Sequence, residues 1–301
     1  MTEIKLGLHL PLAGPAASPL SIATTAVEAE RAGLDSVWTW ERLMRPTEPI
    51  AMGGPGGPVM DAPETFACVY DPIETLSYVA AKTSRISLGT SVLNTLFHSP
   101  VVLARRLATL DRLSDGRLIA GIGQGWMEQE FLAAGVPMGR RGAGFEEHIM
   151  AMRAVWGPDP VSYDGRFYRI PEAEIGPKPV RPAGPALAVG AASPAAVERV
   201  ARLGLGLSLV IFDWDTVTAT IEAFRSAATG AGHDPKALPV RLQVNGSLTQ
   251  EALDERGPLL GSPDQVSEDL QRAAELGVEH VYWNADEPTE QIPLLAGLRS
   301  R

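Results

Sequence analysis

The chain alternates eight times between short apolar runs and longer amphipathic stretches, and this pattern constrains its fold more than any other feature. The short runs are rich in β-branched residues, and the stretches between them have helical length. Such alternation is typical of βα units that build a parallel sheet. The predicted strands cover residues 4–11, 36–40, 86–93, 118–122, 186–191, 207–212, 240–244 and 280–284.

The helical segments between the predicted strands complete eight βα units. No Gly-x-Gly-x-x-Gly motif follows the first strand, and Gly121-Ile-Gly-Gln-Gly comes only after the fourth, which disfavours an open dinucleotide-binding sheet. The pattern therefore predicts an α/β fold, a (β/α)8 TIM barrel with insertion loops, as one domain over residues 1–301. The predicted helices cover residues 21–32, 73–82, 101–113, 126–134 with 145–156, 194–203, 216–231, 263–277 and 289–299.

Two insertions interrupt the alternation. Residues 46–71 are rich in proline and glycine and leave the carboxyl end of the second strand, where barrel active sites are built. We expect this segment to form part of a lid that becomes ordered when ligands bind. Residues 160–182 predict a β-hairpin that turns at Asp164-Gly165.

Composition narrows the classes of partner. The 301 residues include 36 acidic and 26 basic side chains, and a net charge of -10 disfavours nucleic acid. No apolar run approaches the ~18 residues that span a bilayer, and the first residues lack the pattern of a signal peptide. Cys68 is the only cysteine, and no histidine spacing predicts a metal site. We expect a cytoplasmic protein that acts on a small molecule, without a membrane or nucleic-acid partner.

Four segments carry a family resemblance. They are Ser84-Arg-Ile-Ser-Leu-Gly-Thr-Ser-Val-Leu, Ser99-Pro-Val-Val-Leu-Ala-Arg, Ala108-Thr-Leu-Asp-Arg-Leu-Ser-Asp-Gly-Arg and Gly121-Ile-Gly-Gln-Gly-Trp-Met-Glu-Gln-Glu-Phe. In this order they resemble the core of the luciferase-like monooxygenase superfamily, and they look closest to its F420-dependent branch. The resemblance implies an oxidoreductase that transfers hydride between coenzyme F420 and a small organic substrate, with FMN as the alternative cofactor and a homodimer as the expected assembly.

The resemblance also implies cofactor contacts. A non-prolyl cis peptide bond at Ser91–Val92 would bend the cofactor ring, and Asn94 would hydrogen-bond the ring edge. Gln129 would take the place of a family asparagine that contacts the polyol chain. The phosphate would lie over the turn formed by Gly190, Ala191, Ala192 and Ser193, where a helix begins and presents free N–H groups.

The chain departs from the family pattern after the sixth strand. Many F420 enzymes have a lysine there that holds the phosphate, whereas this chain has Asp213 and Asp215. These carboxylates would repel a phosphate unless they point away from it. Three alternatives then stay open: a rotated phosphate, another basic donor such as Arg42, Arg140 or Arg141, or a family member that binds its cofactor weakly.

The second strand ends in Glu41-Arg42, where the related sugar-phosphate dehydrogenases have Asp-His. Arginine stays protonated and cannot act as a general base, so the chain does not resemble the sugar-phosphate dehydrogenases at this point. The family resemblance implies that Glu41 takes the catalytic carboxylate role, near the carbonyl and N–H edge of the ring. His9, at the end of the first strand, is the second predicted catalytic residue. Without the dehydrogenase histidine, reduction of an activated C=C or C=N bond is favoured over alcohol oxidation. Glu130 is interpreted as a helix surface charge, and His148, His233 and His280 as residues without a catalytic role.

Three alternatives stay open. An FMN-dependent monooxygenase that uses O2 would share the barrel and the cis bond. A non-catalytic ligand-binding barrel is favoured by the missing phosphate lysine. A Schiff-base aldolase would need a lysine at a strand end, and the predicted strand ends have none.

Overall fold

A computed structural model describes residues 3–300 and contains a closed barrel of eight parallel strands. In spatial order these are β1, β2, β5, β7, β10, β11, β12 and β13, and β13 pairs again with β1. The (β/α)8 prediction is therefore confirmed. The strands of the described chain are β1 Lys5–His9, β2 Ser36–Thr39, β3 Ile50–Ala51, β4 Val59–Met60, β5 Ser87–Thr90, β6 Leu93–Asn94, β7 Leu118–Gly123, β8 Val161–Asp164, β9 Arg169–Ala173, β10 Ala186–Gly190, β11 Gly206–Val210, β12 Val240–Asn245 and β13 Val278–Asn284.

Helices follow the barrel strands and cover them on the outside. Each predicted helix overlaps an observed one, and the fourth unit is divided into two helices as expected. Several begin with a capping side chain followed by proline, as α8 does at Ser262, which suits the first turn of a helix. The helices are α1 Pro19–Arg31, α2 Pro72–Ala80, α3 Pro100–Leu113, α4 Glu128–Ala133, α5 Ala143–Trp156, α6 Pro194–Arg202, α7 Trp214–Gly230, α8 Pro263–Glu275 and α9 Pro288–Gly297.

The barrel interior is built around one large aromatic pair. The ring of Trp38 stacks on that of Tyr282 with centroids 4.0 Å apart. A Cβ atom on Gly89 would lie 2.2 Å from the Trp38 ring, so glycine on β5 is needed to make room for the indole. Ser36 accepts a hydrogen bond from the Trp38 indole at 2.7 Å and lies 2.6 Å from Nε2 of His280, which is fully buried on β13. His280 therefore belongs to the packing of the barrel interior.

Both insertions are folded. Within residues 46–71, β3 and β4 pair in an antiparallel hairpin, and Ile50 and Ala62 form a small apolar cluster with Met127. This cluster places the insertion over the start of α4; its ordering on ligand binding stays a prediction. In the second insertion β8 and β9 pair antiparallel, which confirms the predicted hairpin. No helix among residues 3–300 is long and apolar enough to cross a bilayer.

Candidate active site

The predicted catalytic and ring-binding residues lie at the carboxyl ends of the barrel strands. His9 ends β1, Glu41 lies two residues beyond β2, and Ser91 and Val92 follow β5 directly. Gly190 ends β10 on the opposite part of the ring of strands. Because the strands are parallel, all of these residues lie at one end of the barrel, the end at which the active sites of this fold occur.

The peptide bond between Ser91 and Val92 is cis, which confirms the sequence prediction. The strand is interrupted at this point and resumes as β6, which pairs with β7. The Ser91 hydroxyl donates to Oε1 of Gln243 at 2.8 Å and lies 2.9 Å from the hydroxyl of Tyr282. These contacts join the bulge after β5 to strands on the far side of the barrel.

Val92 forms an apolar floor across the mouth of the barrel. A Cβ atom on Gly123 would lie 2.7 Å from one methyl group of Val92, and a Cβ atom on Gly190 would lie 3.2 Å from the other. Glycine on β7 and β10 therefore allows the isopropyl group to lie against the backbone of both strands. The result is a flat apolar surface beneath the strand ends.

Glu41 is 5% exposed, and both of its carboxylate oxygens are engaged. Oε1 lies 2.7 Å from Nε2 of His98, and Oε2 accepts a hydrogen bond of 2.6 Å from the backbone N–H of Asn94. The backbone N–H of Glu41 donates to the Val92 carbonyl at 3.4 Å. The predicted catalytic carboxylate is thus held against the bulge and paired with an imidazole. No spacing in the sequence connects residues 41 and 98, so this pair was missed.

The interpretation of Glu130 as a surface charge is wrong, because its side chain is fully buried. Its Oε2 lies 2.7 Å from the guanidinium of Arg42, and its Oε1 accepts from the backbone N–H of Leu43 at 2.7 Å. Burial raises the pKa of Glu130, and Arg42 opposes this rise. Arg42 is also held between the rings of Phe66, at 4.5 Å, and Trp126, at 4.8 Å. The arginine therefore fastens the first insertion to α4.

His9 is 1% exposed, and burial lowers its pKa to about 3, with Gln243 opposing part of the shift. Gln243 lies near the ring, but neither ring nitrogen has a partner of full hydrogen-bond geometry among residues 3–300. At neutral pH the imidazole is uncharged and a weak base. This environment favours a role for His9 as a neutral hydrogen-bonding group.

A chain of side-chain amides lies on the opposite lip of the mouth. Nε2 of Gln243 donates to Oδ1 of Asn245 at 2.9 Å, and Nδ2 of Asn284 donates to the same oxygen at 3.4 Å. Sequence reasoning missed these residues because amides at strand ends carry no distinctive spacing. They provide uncharged donors and acceptors beside the Val92 floor.

The two remaining residues that are predicted to contact the cofactor through polar groups lie near the mouth of the barrel. Gln129 is partly exposed in the first turn of α4, and Asn94 is buried beside Glu41. No hydrogen bond of either side chain occurs among the described residues. Their contacts with a cofactor stay predictions.

The turn from Gly190 to Ser193 opens α6, as predicted. Ser193 caps the helix by accepting from the N–H of Ala196 at 3.4 Å, and the N–H of Ala191 reaches the Ser208 carbonyl at 3.4 Å. The N–H groups of Ala192 and Ser193 form no hydrogen bond within residues 3–300. An anion at the start of this helix would find two free donors.

Asp213 does not present a free carboxylate to that turn. It is the N-cap of α7, and its Oδ1 accepts from the N–H of Thr216 at 2.7 Å. This hydrogen bond lowers the pKa of Asp213. The carboxylate therefore stays ionised, and its Oδ1 is directed to the first turn of its own helix.

Comparison with known proteins identifies the family. The model of the luciferase-like monooxygenase family matches residues 6–252. An uncharacterized protein of Mycobacterium tuberculosis is 30% identical over 279 residues, covering 91% of this chain and 92% of that protein. An F420-dependent glucose-6-phosphate dehydrogenase of Kineococcus radiotolerans is 29% identical over 301 residues, covering 93% of this chain and 84% of the enzyme. The crystal structure of monooxygenase RslO1 from Streptomyces bottropensis superposes with a TM-score of 0.80 at 25% identity and 98% coverage of both chains.

The chain belongs to the luciferase-like monooxygenase family. Its closed barrel agrees with that assignment. Members of this family that resemble it over most of its length include enzymes named for coenzyme F420.

Proposed function

We propose that this protein is an F420-dependent oxidoreductase that reduces an activated C=C or C=N bond in a small organic substrate. The observation that carries the proposal is the buried Glu41–His98 pair, which lies beside the Val92 floor at the barrel mouth. The F420-dependent dehydrogenase that matches 93% of the chain supports the choice of cofactor.

The residues at the mouth fit a planar, polar-edged cofactor. Val92 would support the ring from below, because Gly123 and Gly190 leave its side chain flat against the strands. A polar group at the edge of the cofactor ring would give one of the unpaired ring nitrogens of His9 a hydrogen-bond partner. The free N–H groups of Ala192 and Ser193 would bind the phosphate. When bound, coenzyme F420 supplies or accepts hydride at one carbon of its ring, while the protein provides orientation and electrostatics.

Glu41 and His98 are suited to hold and move the proton that accompanies hydride. The carboxylate is 5% exposed and is held at both oxygens, so its position is fixed before substrate binds. His98 gives it a partner that exchanges a proton without requiring a charge to leave the buried site. General acid–base groups of this kind typically contribute about 10²–10⁴-fold to a rate.

The substrate pocket favours an uncharged molecule. Gln243, Asn245 and Asn284 offer amide groups on the lip opposite Glu41. No lysine or arginine lies at the described carboxyl ends of β11, β12 and β13. A carbonyl-bearing substrate fits these donors better than a phosphorylated sugar, since a phosphate needs charged partners.

Turnover of reduced F420 tests the proposal. The purified protein would be mixed anaerobically with reduced F420 and a panel of cyclic enones and imines, and the oxidised deazaflavin band would be followed. We expect turnover with at least one class, reduced at least 100-fold in Glu41→Gln and retained in Glu128→Gln, which alters an exposed neighbour on α4. Equal rates in the two variants would refute the role of Glu41.

A second candidate is a monooxygenase that uses reduced FMN and O2. The RslO1 monooxygenase, 25% identical over 98% of the chain, favours it. The same floor and carboxylate would serve an isoalloxazine ring. Oxygen consumption with reduced FMN, coupled to formation of an oxygenated product, would support this candidate.

A further inference from the structure

A cavity of about 280 Å³ lies beside His98, between the start of α3 and the segment that joins α4 to α5. Its size suits a small molecule. Its accessible wall is more polar than apolar: His98, Arg140 and Tyr168 supply polar groups, and Phe97, Val136 and Pro137 supply an apolar part. The remaining lining residues are Leu96, Ser99, Ala134 and Gly135.

Arg140 is held in place on this wall. Its guanidinium lies 4.6 Å from the ring centroid of Phe167 and 5.7 Å from that of Tyr168. A Cβ atom on Gly144 would lie 2.2 Å from Cδ of Arg140, so the arginine stem passes over α5 where a glycine leaves room for it. A cation fixed by its stem and by two rings loses little further freedom when a ligand binds.

This cation has no carboxylate partner among residues 3–300. Glu147, on the neighbouring turn of α5, accepts instead from the backbone N–H groups of Phe167 and Tyr168 at 2.6 and 2.9 Å. Most other partly buried arginines of the chain are engaged by acidic side chains or backbone carbonyls. Arg256 pairs with Asp269, and Arg117 donates to four backbone carbonyls and to the hydroxyl of Thr83.

We propose that this cavity binds a small carboxylate with an apolar body. Arg140 binds the carboxylate, with the Tyr168 hydroxyl as a second donor. The apolar body lies against Phe97, Val136 and Pro137. A planar carboxylate matches the fork of an arginine better than a spherical anion does.

The site shares a wall with the proposed active site without depending on it. His98 contacts Glu41 and also lines the cavity. An occupant of the cavity would therefore lie next to the residue that supports the catalytic carboxylate. Binding can be measured without any cofactor, so its failure and the failure of the proposed function are distinguishable.

Calorimetric titration with benzoate tests the site, with benzamide as the neutral isostere and inorganic phosphate as an anion without an apolar body. We expect benzoate to bind at least tenfold more tightly than either. Arg140→Gln should weaken benzoate about 10- to 150-fold, because a hydrogen bond to a charged group is worth about 1.5–3 kcal/mol. Arg141→Gln, which changes the adjacent arginine outside the cavity, should leave it unchanged.

A second variant, Ala134→Leu, tests the site independently in case Arg140→Gln fails to fold. Ala134→Leu fills part of the cavity without removing a charge and should also abolish benzoate binding while the melting temperature is retained. Two results would overturn the proposal on ligand choice: benzamide or phosphate binding as tightly as benzoate. Unchanged benzoate binding in Arg140→Gln would also overturn it. So would the absence of benzoate binding to the wild-type protein at millimolar concentration.

Discussion

The Nε2 atom of His98 lies 2.7 Å from Oε1 of Glu41, although 56 residues separate them along the chain. Glu41 follows β2, and His98 lies at the end of the segment that follows β5 and β6. Because β2 and β5 are neighbours in the barrel, their carboxyl ends bring the two side chains together. The contact joins a buried carboxylate to the wall of a cavity.

Replacing Glu41 by leucine should destabilise the protein, because the Asn94 N–H and His98 would both lose a buried partner. Leaving such groups unsatisfied costs about 1–3 kcal/mol each. Glu41→Gln keeps an oxygen for the Asn94 N–H and should lose less. Urea unfolding would measure both variants. A loss in Glu41→Leu no larger than that in the exposed control Glu128→Leu would contradict the observed pairing.

Removing one partner of the buried Arg42–Glu130 ion pair should lower the free energy of unfolding much more than replacing both partners with apolar residues. Glu130→Ala leaves an uncompensated arginine and should lower the free energy of unfolding by about 3–5 kcal/mol. The double variant Arg42→Met, Glu130→Leu should recover most of that loss because it removes both charges. Chemical denaturation of the three proteins tests this, and a double variant as unstable as Glu130→Ala would disprove it.

Stability should fall in acid, partly through His148. Burial lowers the pKa of His148 from 6.5 to about 4. The unfolded chain therefore takes up the proton first, so this contribution is complete above pH 6.5 and is lost as the pH falls towards 4. Between pH 6.5 and 5 the loss is about 1.6 kcal/mol, because one pKa unit corresponds to about 1.4 kcal/mol and the unfolded imidazole is only half protonated at pH 6.5. In His148→Gln the fall in unfolding free energy over this interval should be smaller by that amount; an identical slope in both proteins would show that His148 is not the source.

Asp213 should affect helix stability and leave cofactor binding unchanged. Asn caps helices about as well as Asp, so Asp213→Asn should keep the melting temperature, whereas Asp213→Ala should cost about 1 kcal/mol. F420 affinity of Asp213→Asn should match that of the wild type, because the carboxylate is engaged by Thr216. Tighter F420 binding by Asp213→Asn would place the phosphate beside this carboxylate.

The barrel could be predicted from the sequence because each unit carries its own signal. Every predicted strand overlaps a barrel strand, since periodic burial and turn residues are local properties. The third strand was predicted over residues 86–93, but β5 ends at Thr90 and pairing resumes at Leu93, beyond the cis bond. That bond was expected from family resemblance, and the residue types alone fit an ordinary strand equally well.

The site was only partly predictable because its contacts join distant segments. Glu41 was identified from its position at the end of β2, yet its partner His98 depends on which strands are neighbours. Glu130 was misjudged for a similar reason: acidic residues in a first helical turn are usually exposed, and only the packing of the first insertion buries this one. Arg140 and its cavity depend on three separate elements, so no short motif indicates them.

Cofactor affinity tests the central proposal most directly. The protein, freed of any copurified cofactor, would be titrated with F420 and with FMN at the same ionic strength, following deazaflavin and flavin fluorescence. We predict that F420 binds at least tenfold more tightly than FMN, and that Ser193→Ala, which keeps the backbone N–H groups of the phosphate turn, retains that preference. Tighter binding of FMN, or no binding of either cofactor at high micromolar concentration, would contradict the assignment of this protein as an F420-dependent oxidoreductase.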